Sequence, residues 1–311
     1  MERDPLLRPL FPGKSFRCAI EEFAAFLVQF LGGPGEDSQR RWWLSLRESH
    51  RRFRIEGQHR DTWMRHMDQA LDDVEIAEPA RGALRNFFEH ASAYVIDGQP
   101  NAPRMTPELA RRWTRQRVMD EAVAAIRGGD ANRAIRLAGM CNRAILPGLL
   151  ALMTGSGDGA LLRYVHGHLT GDPALAHERY AGRTLLHAAA GAGSLSTVEL
   201  LLRLGVDPNV LDGGRHTPLY CVGNECAGAE SADVVRVLVR SGARVDAHDG
   251  VTGATALHMA ARRGNVVVAK ALLECGADIA ARDRRGDTPL QRAINCRKPH
   301  VAELLRSYRC P

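Results

Sequence analysis

Apolar positions along the 311-residue chain fall into helical spacings from one end to the other. Residues 17–31, "RCAIEEFAAFLVQFL", place Ala19, Ile20, Phe23, Phe26, Leu27, Phe30 and Leu31 on one broad face, and "GGP" at 32–34 stops that helix. Residues 59–74 repeat the pattern with Trp63, Met67, Ala70, Leu71 and Val74, and residues 79–96 with Leu84, Phe87, Phe88, Ala91 and Val95. A long, basic, less regular stretch that contains His50 separates the first helix from the second, and "GQPNAPRMTP" at 98–107 reads as a linker. The pattern therefore predicts an all-α chain with a break near residue 100.

Beyond the linker the spacing becomes a repeat. Segments beginning "GRTLLHAAAGAG" at Gly182, "RHTPLYCVG" at Arg215, "GATALHMAARRG" at Gly253 and "GDTPLQRAI" at Gly286 set Thr184, Thr217, Thr255 and Thr288 apart by 33, 38 and 33 residues. Each threonine caps a short helix, and Pro218 and Pro289 occupy a first helical position, where a missing N–H costs nothing. A leucine- or valine-rich helix follows, and Gly205, Gly242 and Gly276 close the first three of these. The signature TLLH, TALH and the weaker TPLY and TPLQ resemble ankyrin repeats. The 38-residue interval predicts insertions at "GNECAGAES" and "GVTGA", lengthening one loop and one hairpin tip. Upstream, "MDEAVAAIRGGDANRAIRLAG" and "AILPGLLALMTGSGDGALLRYVHGHLTGD" read as degenerate capping repeats. By that resemblance His187 and His258 bond the hairpin backbone and the neighbouring repeat and are structural. "HGH" at His166–His168 reads as a solvated helix end, "GSGDG" lacks the ending of a phosphate loop, and Cys221 and Cys226 read as small buried residues.

Composition narrows the class. A net charge of +6, carried almost wholly by arginine, permits contact with an anionic partner without demanding it. Seven irregularly spaced cysteines offer no zinc spacing and fit a reducing cytoplasm. "MERDPLLRPL" is not a signal peptide, and no apolar run reaches the ~20 residues of a membrane span. All four tryptophans, Trp42, Trp43, Trp63 and Trp113, lie in the first 113 residues, so the two halves are built differently.

On its residues alone, "RRWWLSLRESHRRFR" is a solvated basic face first, a nucleic-acid surface second and a metal-ligand segment third. Order and spacing change that ranking. Phe11-Pro12, an aromatic-rich helix ending in Gly32-Gly33-Pro34, then His50-x-x-Phe53-x-Ile55 and Arg60-Asp61-x-Trp63 resemble a truncated, two-over-two globin of group II. The resemblance runs from about Asp4 to Trp63 and more loosely to residue 97. It implies haem b, with His50 as the proximal iron ligand and Trp63 on the distal side. It also implies pocket walls from Phe11, Phe23 and Phe26, a small distal residue at Ala19, and proximal packing from Leu46, Phe53 and Ile55. Arg47, with Arg51 and Arg52, is placed to pair with haem propionates. Trp43-Leu44 stands where the family has His-Pro, and Ser49 where it has arginine. The family also begins with two further helices that this chain lacks, the second carrying a distal tyrosine or phenylalanine. "MERDPLLRPLFP" reads like the middle of a globin, which predicts a start upstream of Met1.

These readings give a globin-like domain at 1–98, a linker and connecting helix at 99–116, degenerate capping repeats at 117–179 and ankyrin repeats at 180–311. The expected function is a haem module for dioxygen or nitric oxide tethered to a scaffold that binds a protein partner through its hairpins and concave face. No catalytic residue is assigned, although the family admits nitric oxide or peroxide chemistry. Nucleic acid and membrane are not expected partners. The alternatives are a haem-less interaction protein whose globin part is a helical cap, and an adaptor that binds nucleic acid through the arginine-rich segment.

Overall fold

The computed structural model describes residues 1–11, 20–21, 23–24, 26–28, 50, 53–97, 107–226 and 228–308, and it is helical nearly throughout. Among these residues the one sheet is a pair of two-residue strands, β1 (Arg179–Tyr180) and β2 (Arg183–Thr184), antiparallel with Arg179 opposite Thr184. The chain divides into two compact units, Met1–Ala124 and Ala125–Pro311.

In the N-terminal unit, α1 (Gly57–Asp72) starts where the Glu56 N–H donates to His59 Nδ1 at 3.0 Å and Glu56 caps the first turn in return. It packs against α2 (Ala80–Asp97). Met67 and Leu71 from α1 meet Phe87, Phe88, Ala91 and Tyr94 from α2, and Trp113 from α3 (Pro107–Arg127) completes the buried cluster. The rings interlock: Phe87 stacks on Trp113 with centroids 5.9 Å apart, and Tyr94 lies 5.4 Å from the same indole. Such pairs contribute about 0.5–1.5 kcal/mol beyond their burial. The Tyr94 hydroxyl donates to Asp120 Oδ2 at 2.7 Å and Gln116 donates to Asp120 Oδ1 at 2.9 Å, so this buried carboxylate is satisfied. At the N-terminus, Asp4 accepts from the Leu6 and Leu7 amides and lies 2.9 Å from His66 on α1, so Leu7 is buried.

Three of the expected apolar-face residues are corrected. Val74 lies past the end of α1 at Asp72 and is 52 % exposed; Ile20 is 62 % exposed; Ala70 is exposed as well. For Val74 the periodicity continued beyond the point where the helix ends at Asp72.

The C-terminal unit is a stack of helix pairs. It opens with α4 (Ala131–Ala138) followed by the pair α5 (Leu146–Ser156) and α6 (Gly159–Gly171). The remaining pairs are α7 (Leu185–Ala192) with α8 (Leu195–Arg203), α9 (Pro218–Glu225) with α10 (Ser231–Arg240), α11 (Ala256–Arg263) with α12 (Val266–Glu274), and α13 (Pro289–Asn295) with α14 (Pro299–Ser307). Three of the four threonines cap by a side-chain bond: Thr217 accepts from the Tyr220 amide at 3.2 Å, Thr255 from His258 at 3.5 Å and Thr288 from Gln291 at 3.3 Å. Gly205, Gly242 and Gly276 take φ of 82°, 96° and 87°, the left-handed region that ends each second helix. In "GSGDG" the left-handed Gly157 ends α5 and Asp158 caps α6, so the segment is a helix joint and not a phosphate loop.

Candidate functional site

The residues expected to face a haem divide into three groups. Ala19, Leu46 and Arg47 lie outside the described residues. Phe11, His50, Phe53 and Ile55 are half-buried, and their backbone is pinned locally. The Phe53 amide donates to His50 O at 2.9 Å, the Ile55 amide to Phe53 O at 3.1 Å, and the Arg8 guanidinium to Phe11 O at 2.5 Å. Phe23, Phe26 and Trp63 form a second layer on the buried cluster. Trp63 stands edge-on to Phe23 at 6.0 Å and to Phe88 at 5.6 Å, and Phe26 lies 6.2 Å from Phe87. The structure thus packs Phe23, Phe26 and Trp63, each partly buried, as one aromatic wall on the same core.

Sequence reasoning missed four buried residues of the same unit: Tyr94 and Trp113 in the cluster under this wall, and His90 and Asp120. His90 Nδ1 sits 2.5 Å from Asn86 O on its own helix, and Nε2 has no hydrogen-bond partner among the described residues. His90, three residues after Phe87 and four before Tyr94, lies at a helical spacing that could have placed it inward.

Do these residues fit haem? The described residues supply one half-buried imidazole on a pinned turn and, elsewhere in the same unit, a group of partly buried aromatic side chains. A nitrogen ligand and apolar rings are the residue types a flat, apolar iron macrocycle needs, so the residues fit by chemistry.

In the C-terminal unit, the histidines and cysteines singled out in the sequence are engaged in packing or hydrogen bonds. His187 Nε2 reaches His216 O at 3.1 Å and Nδ1 takes the Thr184 amide at 3.2 Å; His258 does the same with Asp287 O at 3.0 Å and the Thr255 amide at 3.2 Å. Burial lowers both imidazoles, His187 to about 4. His166 bonds Thr197 at 3.0 Å, and His168 packs edge-on to Tyr164 at 4.5 Å. No group of three or more His, Cys, Asp or Glu among the described residues could hold a metal ion. Cys221 and Cys226 are buried, and burial pushes the Cys221 thiol up to about 12 although Arg183 lies 3.1 Å away, so it is not a nucleophile at neutral pH. No helix among the described residues is long and apolar enough to cross a membrane.

Comparison with known proteins agrees with both halves. A family profile described as bacterial-like globin matches residues 1–95, and one described as ankyrin repeats (3 copies) matches 150–249 and 224–310. The chain is 34% identical over 90 residues to the group 2 truncated hemoglobin 3-1 of Lotus japonicus, covering 29% of this chain and 54% of that protein. It is 28% identical over 126 residues to the two-on-two hemoglobin-3 of Arabidopsis thaliana, covering 39% of this chain and 72% of that protein. It is also 36% identical over 142 residues to the human ankyrin repeat and SOCS box protein 16, covering 43% of this chain and 30% of that one. The chain thus spans about half the length of the Lotus relative and less than a third of the human one. Its N-terminal residues are a bacterial-like, truncated two-over-two globin domain, and through the array fused to it the chain belongs to the ankyrin-repeat family.

Proposed function

We propose that the globin domain holds haem b through His50 and that the ankyrin array docks a protein partner. The observation that supports the first part most directly is the aromatic wall: Phe23, Phe26 and Trp63 pack on a buried core and are themselves only partly buried. Uncovered aromatic surface of this kind is stabilised by whatever covers it, at about 25 cal/mol per Å². When bound, haem supplies an iron that takes a small gas such as dioxygen or nitric oxide.

His50 offers the iron a neutral imidazole nitrogen, and the turn bonded from Phe53 to His50 O fixes where that ring leaves the backbone. Phe53 and Ile55, half-buried on the same turn, exclude water beside it. Trp63 donates its indole N–H to none of the described residues, and that proton would serve a polar ligand of the bound group. Phe11 carries no hydroxyl, so the indole is the distal donor in this reading. Ala19, Leu46 and Arg47 keep the roles that the family resemblance implies: a small distal residue, proximal packing and a propionate partner. Five described cysteines are free thiols, which fits a reducing compartment such as the cytoplasm.

The test is absorption of the full chain purified after expression with added haem precursor. The expected result is a Soret band that copurifies with wild type and is lost in His50→Ala while helicity and melting are unchanged. A full band in His50→Ala overturns the ligand assignment. A folded wild-type chain without a band overturns haem binding and leaves the globin part as a helical cap.

A further inference from the structure

The tips of the ankyrin hairpins sort their charges by sign. The carboxylates turn inward. Asp212 accepts from the Gly214 and His216 amides at 2.9 and 2.8 Å and from the His216 ring. Asp249 accepts from the Val251, Thr252 and Ala254 amides at 2.7, 2.5 and 3.0 Å, and from the Thr252 hydroxyl. Asp283 accepts from the Arg285 and Asp287 amides at 2.8 and 3.1 Å and is clasped by Arg292. These three aspartates shape the tips and present almost no charge to solvent. The exposed tip residues are the opposite sign: Arg179, Arg215, Arg282, Arg284 and Arg285.

Three of these arginines are held in place by the neighbouring hairpin. Arg179 donates to Leu211 O at 2.8 Å on the next tip. The stem of Arg215 lies across Gly250, where an added Cβ would sit 2.4 Å from Arg215 Cδ. Arg284 reaches back to Val251 O at 2.8 Å, and its stem passes Gly253, where a Cβ would sit 3.0 Å from Cγ. Arg215 and Arg284 therefore flank one tip from either side, and Val251 stands between them, 65 % exposed. Leu211, 38 % exposed, lies on the tip that Arg179 reaches and that itself carries Arg215. The result is a row reading Arg179, Leu211, Arg215, Val251, Arg284. Side chains laid down in advance lose less freedom on binding, and a guanidinium that spends one nitrogen on a carbonyl keeps further donors for a carboxylate.

We infer that this row binds an extended acidic peptide segment of a protein partner, one in which carboxylate and apolar side chains alternate. The inference rests on the reading that the array docks a protein. Alternation is the pattern an extended chain presents along one face, so carboxylates meet the arginines while apolar side chains cover Leu211 and Val251. A nucleic acid fits the row less well, because its described residues include no exposed aromatic on which a base can stack.

The test is selection from a random peptide library on the full chain, followed by titration of the enriched peptides with wild type and with Arg215→Glu/Arg284→Glu. Enriched peptides that interleave Asp or Glu with apolar residues, and that lose at least about tenfold in affinity against the double variant, support the inference. Arg215→Gln/Arg284→Gln, with unchanged helicity, is expected to show a smaller loss, which guards against misfolding of the charge-reversed chain. Enriched peptides that are neutral or basic, or acidic ones that both variants bind as wild type does, overturn the acidic row while leaving a peptide-docking array. No enrichment overturns the row and the docking reading together. Displacement of the acidic peptides by oligothymidine at lower concentration than by unlabelled peptide overturns it in favour of nucleic acid.

Discussion

His187 and His216 show how the same side chain serves opposite ends a few ångströms apart. His187 is buried, and desolvation lowers its pKa to about 4, so it folds as the neutral ring that joins Thr184 to the next hairpin. His216 is pushed up by its hydrogen bond to Asp212 and stacks on Tyr220 at 4.4 Å. Burial pushes the Asp212 carboxyl up, but the bonds from His216 outweigh that and hold it below the usual range. A lowered histidine pKa means that the unfolded chain binds the proton more readily. Its contribution is therefore fully present above its unfolded value near 6.5 and is lost as pH falls towards about 4. His216 works in the other direction: its contribution is present below 6.5 and fades as pH rises through its raised value. The fall in stability between pH 7 and pH 5 should therefore shrink by about 2 kcal/mol in His187→Gln. Urea unfolding of the full chain followed by circular dichroism measures it; equal falls in both proteins contradict the neutral buried ring. The structural use of His187 was legible in the sequence, because TLLH carries it at a fixed place in a repeat. The inward turn of Asp212, Asp249 and Asp283 was not legible, since hairpin backbone geometry decides which carboxylates are spent on amides.

At the scale of elements, spacing was the better guide. The 38-residue interval resolves into five residues between α9 and α10 where the preceding repeat has two between α7 and α8, a second helix longer by one residue, and a tip at Asp249–Ala254 longer by one. Close packing of first helices then depends on particular glycines. A Cβ on Gly223 in α9 would lie 2.4 Å from Ala256 O at the start of α11, a backbone atom that cannot swing aside. Gly223→Ala should destabilise by about 1–3 kcal/mol. Gly155→Ala in α5, where an added Cβ meets nothing within 4 Å, should be neutral or stabilise by up to about 1 kcal/mol. Thermal melts of both variants check the pair, and equal shifts contradict it. The N-terminal helices were legible to within two residues of their observed bounds, Gly57–Asp72 and Ala80–Asp97. Trp113 was not placed: it sits among Arg111, Arg112, Arg115 and Arg117, which mask an apolar face, and only packing on Phe87 and Tyr94 shows its side.

For the molecule as a whole, the two halves were legible in different ways. Repetition identified the ankyrin array, because several copies of one short pattern test one another. The globin was legible from the order of unlike motifs, with His50, Phe53, Ile55 and Trp63 in sequence, and composition pointed instead to a basic surface. Geometry adds the aromatic wall of Phe23, Phe26 and Trp63, whose ring contacts no periodicity predicts. The central claim is that this wall and His50 hold one haem. Since all four tryptophans lie within the first 113 residues, their fluorescence reports on that unit alone. Titrating the full chain with haemin should quench it to a plateau at one equivalent, with a plateau reached only at much higher haemin in His50→Ala. Quenching that rises without saturating, or an identical curve for the variant, contradicts the account.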